Sequence, residues 1–277
     1  MKKLFILFFI LVLLSCSNNQ KTGNELSLLE DVNSIEIQEL ELPNWFLNMP
    51  AGDFSVGIAA TYSYDPQVTQ DKIKEKGSIL AQRKKSSIVI TKLKMKENER
   101  TKTPILTDFK LQVASDIPAL KNYFTSCDIF NSYQTLGMTI GLIGNSSQKV
   151  VLDTLRQTIN QVPAWFTENR ISSKDDWLIS CGTYTADNMI TAYNEAYNDA
   201  VYNLIAGIKP QVKGSLISSD KFQEKFVEID ASLIIENIKN TRNSLLVRKS
   251  QNAWVFDAFV ELKWQAKYQI TNIEVKN

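Results

Sequence analysis

The sequence predicts an α+β fold of two tandem units, each with helices packed on one face of a small antiparallel sheet. Three observations carry this. The order apolar-Pro-x-Trp-Phe occurs as LPNWF from residue 42 and again as VPAWF from residue 162. Each is followed by a short apolar strand with a glycine, Gly57 in SVGIAA and Gly182 in ISCGTY. Each then leads into a helix-like stretch and more strand-like segments. A chain with five tryptophans and seven prolines has little material for spelling this combination twice. Identity elsewhere is low, which describes a diverged duplication and not a repeat array.

The first unit covers residues 41–148. Pro43 fixes φ and begins an extended segment. Trp45 and Phe46 then offer two large side chains, each worth about 2–3 kcal/mol when fully buried. The expected role is a core staple where the chain enters each unit: Pro43, Trp45 and Phe46, then Pro163, Trp165 and Phe166. An exposed aromatic pair that binds a partner is the alternative. A strand to Gly57 is followed by a helix over 70–86, with Ile73, Leu80 and Ala81 apolar and Gly77 inside it, and then by the strand SIVITKLKMK. TDFKLQVASDIPALKNYF reads as a second helix broken by Pro118, and CDIFNSYQTLGMTIGLIG as two strands. The join falls in 144–160, where GNSS is turn-rich and VVLDTLRQTI has the periodicity of a short helix.

The second unit covers residues 158–277, with five extra residues between its Trp-Phe and its glycine. Over 188–206, Ala192, Ala196, Ala200 and Leu204 recur every four residues beside Tyr193, Tyr197, Val201 and Ile205. Two adjacent rows of this kind form one apolar helix face, and small alanines allow close approach to a sheet. Aligning the two helices pairs Gly77 with Ala196 and Ala81 with Ala200. Lys209-Pro210 is expected to end the helix, with IKPQVKGSLIS as the next strand. Lys221 to Asn240 reads as a helix with Phe222, Phe226, Ile229 and Leu233 on one face. LLVRKS and AWVFDAFVELKWQ read as strands. In the latter, Phe256, Ala258, Val260, Leu262 and Trp264 alternate with Asp257, Glu261 and Lys263, as in a strand with one buried face.

The N-terminus, MKKLFILFFILVLLSCSNNQ, has Lys2 and Lys3 before an apolar run of eleven residues, Leu4 to Leu14. As a helix this rises about 16 Å, half of a hydrocarbon core of ~30 Å. Residues 1–15 therefore read as a signal peptide and not as a membrane span. Leu13-Leu14-Ser15-Cys16 resembles the lipobox of bacterial lipoproteins. The resemblance implies cleavage before Cys16, diacylation of its sulfur and acylation (palmitate among the chains) of its new amine. An ordinary signal peptide cut near a cysteine is the alternative. One acyl chain anchors marginally and a second makes anchoring stable, so the membrane is the expected partner through Cys16. Residues 16–40 comprise this cysteine and a polar, flexible tether. Ser17 resembles the residue found there in lipoproteins sorted to an outer membrane. The expected location is the cell envelope, on its periplasmic or its surface face.

Net charge is +1, so steering toward nucleic acid is not indicated. Histidine is absent, which removes the commonest general acid/base and metal ligand together. No metal spacing, phosphate loop or nucleophile motif is present, so no catalytic residue, metal or cofactor is expected, and no enzyme. Asp175-Asp176 could form a carboxylate pair but reads as a solvated loop. Cys127 and Cys181 would face an oxidising compartment. A disulfide is open to them, but Cys181 takes the place of Val56, as a small buried hydrophobe would. From Gln70 to Lys102 there are eleven Lys/Arg against four Asp/Glu. Lys92, Lys94 and Lys96 fall on one strand face. They read as protection of a sheet edge or as contact with an envelope polyanion.

A lipobox cysteine, a polar tether, Pro-x-Trp-Phe, a strand with glycine and an Ala-rich helix together resemble a small family of bacterial envelope lipoproteins. It includes a Helicobacter surface-antigen lipoprotein and the flagellar outer-membrane lipoprotein that builds the basal disk. The matching residues are Pro43, Trp45, Phe46 and Gly57, then Pro163, Trp165, Phe166, Gly182, Ala196 and Ala200. Members usually carry one such domain, and two in tandem depart from that. The resemblance implies a helix-on-sheet domain, often oligomeric, with envelope proteins or itself as partner and no catalytic residues. The expected function is a non-catalytic structural or assembly component of the envelope. The alternative is a lipid-tethered binding module for a polyanion or a hydrophobic ligand.

Overall fold

The computed structural model describes residues 36–97, 104–114, 124–166, 171–174, 176–217, 226–249, 253–265 and 268–276. The signal peptide, Cys16, the tether to residue 35, Pro118 and Asp175 lie outside the described residues. The chain begins with β1 (Glu36–Gln38) and β2 (Leu40–Pro43), and Pro43 leads straight into the one-turn helix α1 (Asn44–Leu47). After β3 (Phe54–Ala60), Asp65 opens α2 (Pro66–Lys85): its side chain accepts from the Val68 N–H at 3.3 Å, with proline at the first helical position. β4 (Ser86–Glu97) and β5 (Pro104–Ala114) follow. β6 (Cys127–Thr135) and β7 (Met138–Asn145) form a hairpin turned at Leu136 and Gly137, both with positive φ, the geometry that matches strand twist.

The chain then pairs β8 (Arg156–Ile159) antiparallel with β2 and runs through β9 (Ile171–Lys174) and β10 (Trp177–Ala186). Asn188 caps α3 (Met189–Ile217), its side chain accepting from the Thr191 N–H at 2.8 Å. β11 (Phe226–Glu236), β12 (Lys239–Lys249), β13 (Trp254–Gln265) and β14 (Tyr268–Lys276) complete the chain. The sheets have the orders β3-β7-β6, β1-β12-β13-β10-β9, β14-β11-β4-β5 and β2-β8. The fold is thus mixed α+β with antiparallel sheets, and strands predominate. α2 lies on β3 and β7, and α3 on β10 and β13. The order β3-β7-β6 under α2 has the same connectivity as β10-β13-β12 under α3. In each, the strand before the helix pairs with the second strand of a later hairpin.

Several elements differ from the sequence reading. Where they are described, the stretches expected as second helices are largely strands: β5 occupies Pro104–Ala114, β11 Phe226–Glu236, and β12 begins at Lys239, while 115–123 and 221–225 lie outside the described residues. In KFVEIDASLIIE the positions 226, 229 and 233 satisfy a helical period, while Val227, Ile229, Ala231 and Leu233 satisfy a period of two. Such an ambiguity is settled by the neighbouring strands that complete a ladder. α3 does not end at Lys209-Pro210 but runs to Ile217, so IKPQVKGSLIS is not a strand. Proline removes one donor, and a helix can carry that loss as a kink. Residues 156–159 form β8, where a short helix was expected.

The expected boundaries 41–148 and 158–277 do not separate two cores. Ile37–Asn277 forms one compact unit. Phe54, Val56 and Leu142 from the first half share a buried cluster with Tyr193, Ala196 and Trp264 from the second. The sheet β14-β11-β4-β5 also mixes strands of both halves. Its ladders shift register between Ser232 and Leu233 and between Lys94 and Met95; Lys92 stands opposite Lys110 on β5 and Asp230 on β11, and Asp230 opposite Glu274 on β14. One residue along, Leu93 stands opposite Phe109 and Ile229, and Ile229 opposite Val275.

Candidate functional site

The two Pro-x-Trp-Phe segments are placed differently. Trp45 and Phe46 are 3% and 0% exposed. Their rings meet edge to face at 6.4 Å, and Phe46 lies 5.9 Å from Tyr193 of α3. The Phe46 carbonyl accepts from Asn243 of β12 at 2.9 Å. The first pair therefore staples the second half's helix and sheet, within a buried cluster that also holds Phe54, Val56 and Leu142. Burial pushes the Tyr193 phenol above its ordinary range, so it stays neutral. It donates to Asn243 and accepts from Asn240, both at 3.2 Å, which satisfies a polar group that the core would otherwise strand.

Trp165 and Phe166 are half-buried and lie on the opposite side of the β12–β13 ladder. The Arg242 guanidinium sits 5.2 Å from the Trp165 ring centre, and Phe166 meets Phe259 at 5.0 Å. Below them Glu261 accepts from Arg242 Nε at 2.9 Å and from Thr241 Oγ1 at 2.6 Å. Asp257 accepts from Thr185 Oγ1 and from Arg248, each at 2.6 Å. Phe256, Ala258, Val260, Leu262 and Trp264 are buried as the alternation requires, but Asp257, Phe259 and Glu261 are buried too. β13 is thus covered on both faces, and the acids that read as solvent-facing are held by paired arginines.

The glycine–helix contacts set the spacing of both halves. A Cβ at Gly57 would lie 2.1 Å from the Ile73 carbonyl oxygen and 3.1 Å from Gly77 N. At Gly182 it would lie 2.2 Å from both the Ala196 carbonyl oxygen and Ala200 N. Gly77 therefore corresponds to Ala200, one helical turn beyond the pairing that the sequences suggested. Asn203 donates to the Cys181 carbonyl and Ser180 to the Ala200 carbonyl, both at 2.8 Å, locking α3 to β10.

Lys84 was not singled out in the sequence, because it stands in a run of basic residues. It is 7% exposed, and its ammonium donates to the Phe54 carbonyl. It borders a cavity of about 580 Å³ with Asp53, Lys85, Lys239 and Asn240. Burial pushes its pKa down from 10.5 to about 8, opposed by the Asp53 carboxylate and helped by Lys85. Between those values the unfolded chain binds the extra proton, so stability rises with pH. Chemical unfolding across that window should gain about 3 kcal/mol, and Lys84→Met should remove the gain. Equal pH dependence in the two proteins would refute this.

Lys92, Lys94 and Lys96 lie on β4, between β11 and β5, so they protect no sheet edge. The register sets Lys94 opposite Asp108 and Glu228, as it sets Lys92 opposite Asp230. Lys92 also stands opposite Lys110. Cys127 and Cys181 are both buried, and no disulfide joins them. Asp176 is exposed with a φ of 63° in the turn before β10, and Asp175 lies outside the described residues. Among the described residues no group of three or more Cys, Asp or Glu could hold a metal. Comparisons with protein-family models, curated proteins and solved structures found no match.

Proposed function

We propose that this chain is a lipoprotein of a bacterial envelope, anchored in the outer membrane by acyl chains on Cys16. It acts as a non-catalytic structural or assembly component. The observation that carries the reading is Leu13-Leu14-Ser15-Cys16 at the end of an eleven-residue apolar run. The repeated Pro-x-Trp-Phe and its glycine support a diverged tandem duplication of the family unit that the sequence resembles. The matching orders β3-β7-β6 and β10-β13-β12 favour the same reading. In it the two copies have merged into one core, and Trp45 and Phe46 cross over to the other copy. The lack of histidine fits a role without acid–base chemistry.

Acyl labelling tests the anchor. The wild-type chain should incorporate palmitate label and run at the size of the processed form. Cys16→Ala should lose the label and remain an uncleaved precursor. A labelled, processed Cys16→Ala protein would sink the proposal.

A further inference from the structure

We propose that the sheet β14-β11-β4-β5 spans a lipid bilayer. Its apolar face meets hydrocarbon, and its charged face lines an aqueous lumen closed by the sheets of further copies of this chain. The alternation holds in register around Leu93, while Ile88, Ile90 and Ile234 nearer the body and Ile105 and Phe226 at the far end fall on the charged face. The row Phe109, Leu93, Ile229, Val275 is wholly apolar, and the flanking rows Lys110, Lys92, Asp230, Glu274 and Asp108, Lys94, Glu228, Lys276 are wholly charged. A further apolar row, Val113, Val89, Leu233, Ile270, follows nearer the helices. A soluble sheet with this pattern needs a layer over its apolar face. Among the described residues, only α2 makes more than marginal contact with this sheet, and α2 runs directly into β4.

Four features identify the occupant as a bilayer. The strands are 12, 11, 11 and 9 residues long, and a tilted membrane strand needs about 9–11. At one end the sheet joins α2, β12 and β13. At the other end, β4 and β5 are connected by NERTKT, which contains no apolar residue, and β11 is entered from α3 through SSDKFQEK, in which only Phe222 is apolar. Both sequences at that end are thus polar, as the far side of a crossing requires. Finally, the lipid anchor already holds the chain at a membrane, and the inference rests on that reading. No helix among the described residues is long and apolar enough to cross.

Further copies are required by the strand count. A closed membrane barrel has at least about eight strands, twice what one chain supplies, and an open edge cannot face hydrocarbon. β5 and β14 are the outer strands and run antiparallel to each other. The β5 of one copy can therefore pair with the β14 of the next without breaking the up-and-down alternation. A repeated head-to-tail contact of this kind closes into a ring.

The test uses the full, processed chain with single cysteines at neighbouring positions of opposite rows: Ile229→Cys and Asp230→Cys on β11, Leu93→Cys and Lys92→Cys on β4. Cys127 and Cys181 are buried and are left in place. Each variant carries an environment-sensitive fluorophore and is reconstituted in vesicles of phosphatidylethanolamine and phosphatidylglycerol. Probes at 229 and 93 should shift to the blue and be quenched by a lipid-borne quencher. Probes at 230 and 92 should read water. The detergent-extracted protein should be an oligomer that conducts ions across a planar bilayer of the same lipids. Water-like emission at all four positions would overturn the proposal. So would blue emission at 229 and 93 that precedes vesicle addition and escapes the lipid quencher, the signature of two sheets packed face to face. Palmitate labelling at Cys16 in the same preparations separates the failures: labelled protein without lipid contact defeats only the spanning sheet, and unlabelled protein defeats the anchor.

Discussion

Adding a single methyl group at Gly182 will destabilise the protein by about 3 kcal/mol or more, the upper end of the range for overpacking. The new Cβ would lie 2.2 Å from the Ala196 carbonyl oxygen and 2.2 Å from Ala200 N, and both are helix backbone. Side chains can rotate away from an intruder, but an α-helix hydrogen-bonded along its length must move as a body. Moving α3 would break the bonds from Asn203 and Ser180 that tie it to β10, and would open the buried face around Tyr193 and Tyr197. Gly57→Ala should behave in the same way against the Ile73 carbonyl at 2.1 Å. Gly77→Ala is the control. Its Cβ would meet Ile143 Cδ1 at 2.6 Å and Cγ1 at 2.7 Å, side-chain atoms that must shift, and Gly57 N at 3.3 Å, so its loss should be smaller than at Gly182, offset by about 1 kcal/mol of helix propensity over glycine. Urea unfolding of the three variants would measure the contrast. A Gly182→Ala protein within about 1 kcal/mol of wild type would show that α3 can slide, against the packing described.

The second large effect separates the two Pro-x-Trp-Phe segments. Trp45→Ala and Phe46→Ala should each cost about 3–5 kcal/mol, as expected for large aromatics removed from a closed core. Trp165→Ala should cost about 1 kcal/mol, because the ring is half-exposed and its specific partner is the Arg242 guanidinium. Unfolding midpoints of the three variants, measured at the same protein concentration, decide the matter. Equal losses at Trp45 and Trp165 would mean that the segments are energetically equivalent and that the asymmetry of their burial carries no weight.

Much of the architecture was legible. The β3–α2 and β10–α3 junctions follow from glycine facing a row of small residues, and the inner face of β13 follows from strict alternation at Phe256 to Trp264. Both signals are local: they depend on residues within one element or its immediate successor. The misread segments were also apolar and periodic, but short. Phe226 to Glu236 fits a helix and a strand alike, and β4 is the partner that made it a strand. Lys84 could not be distinguished from Arg83 and Lys85, because its burial depends on Phe54, a residue 30 positions earlier.

By itself the sequence determined the repeated Pro-x-Trp-Phe, the two helix-on-strand contacts and the mixed α+β class. These features are written in spacing and side-chain size along a continuous stretch. Only the tertiary structure decided that the two Pro-x-Trp-Phe segments lie on opposite sides of the β12–β13 ladder, that both halves share one core, and that β4 and β11 meet to build a sheet from both halves. Each of those outcomes depends on which surfaces meet across more than a hundred residues of chain. Apolar burial is non-directional, so a local pattern states that a face must be covered and leaves its partner unspecified.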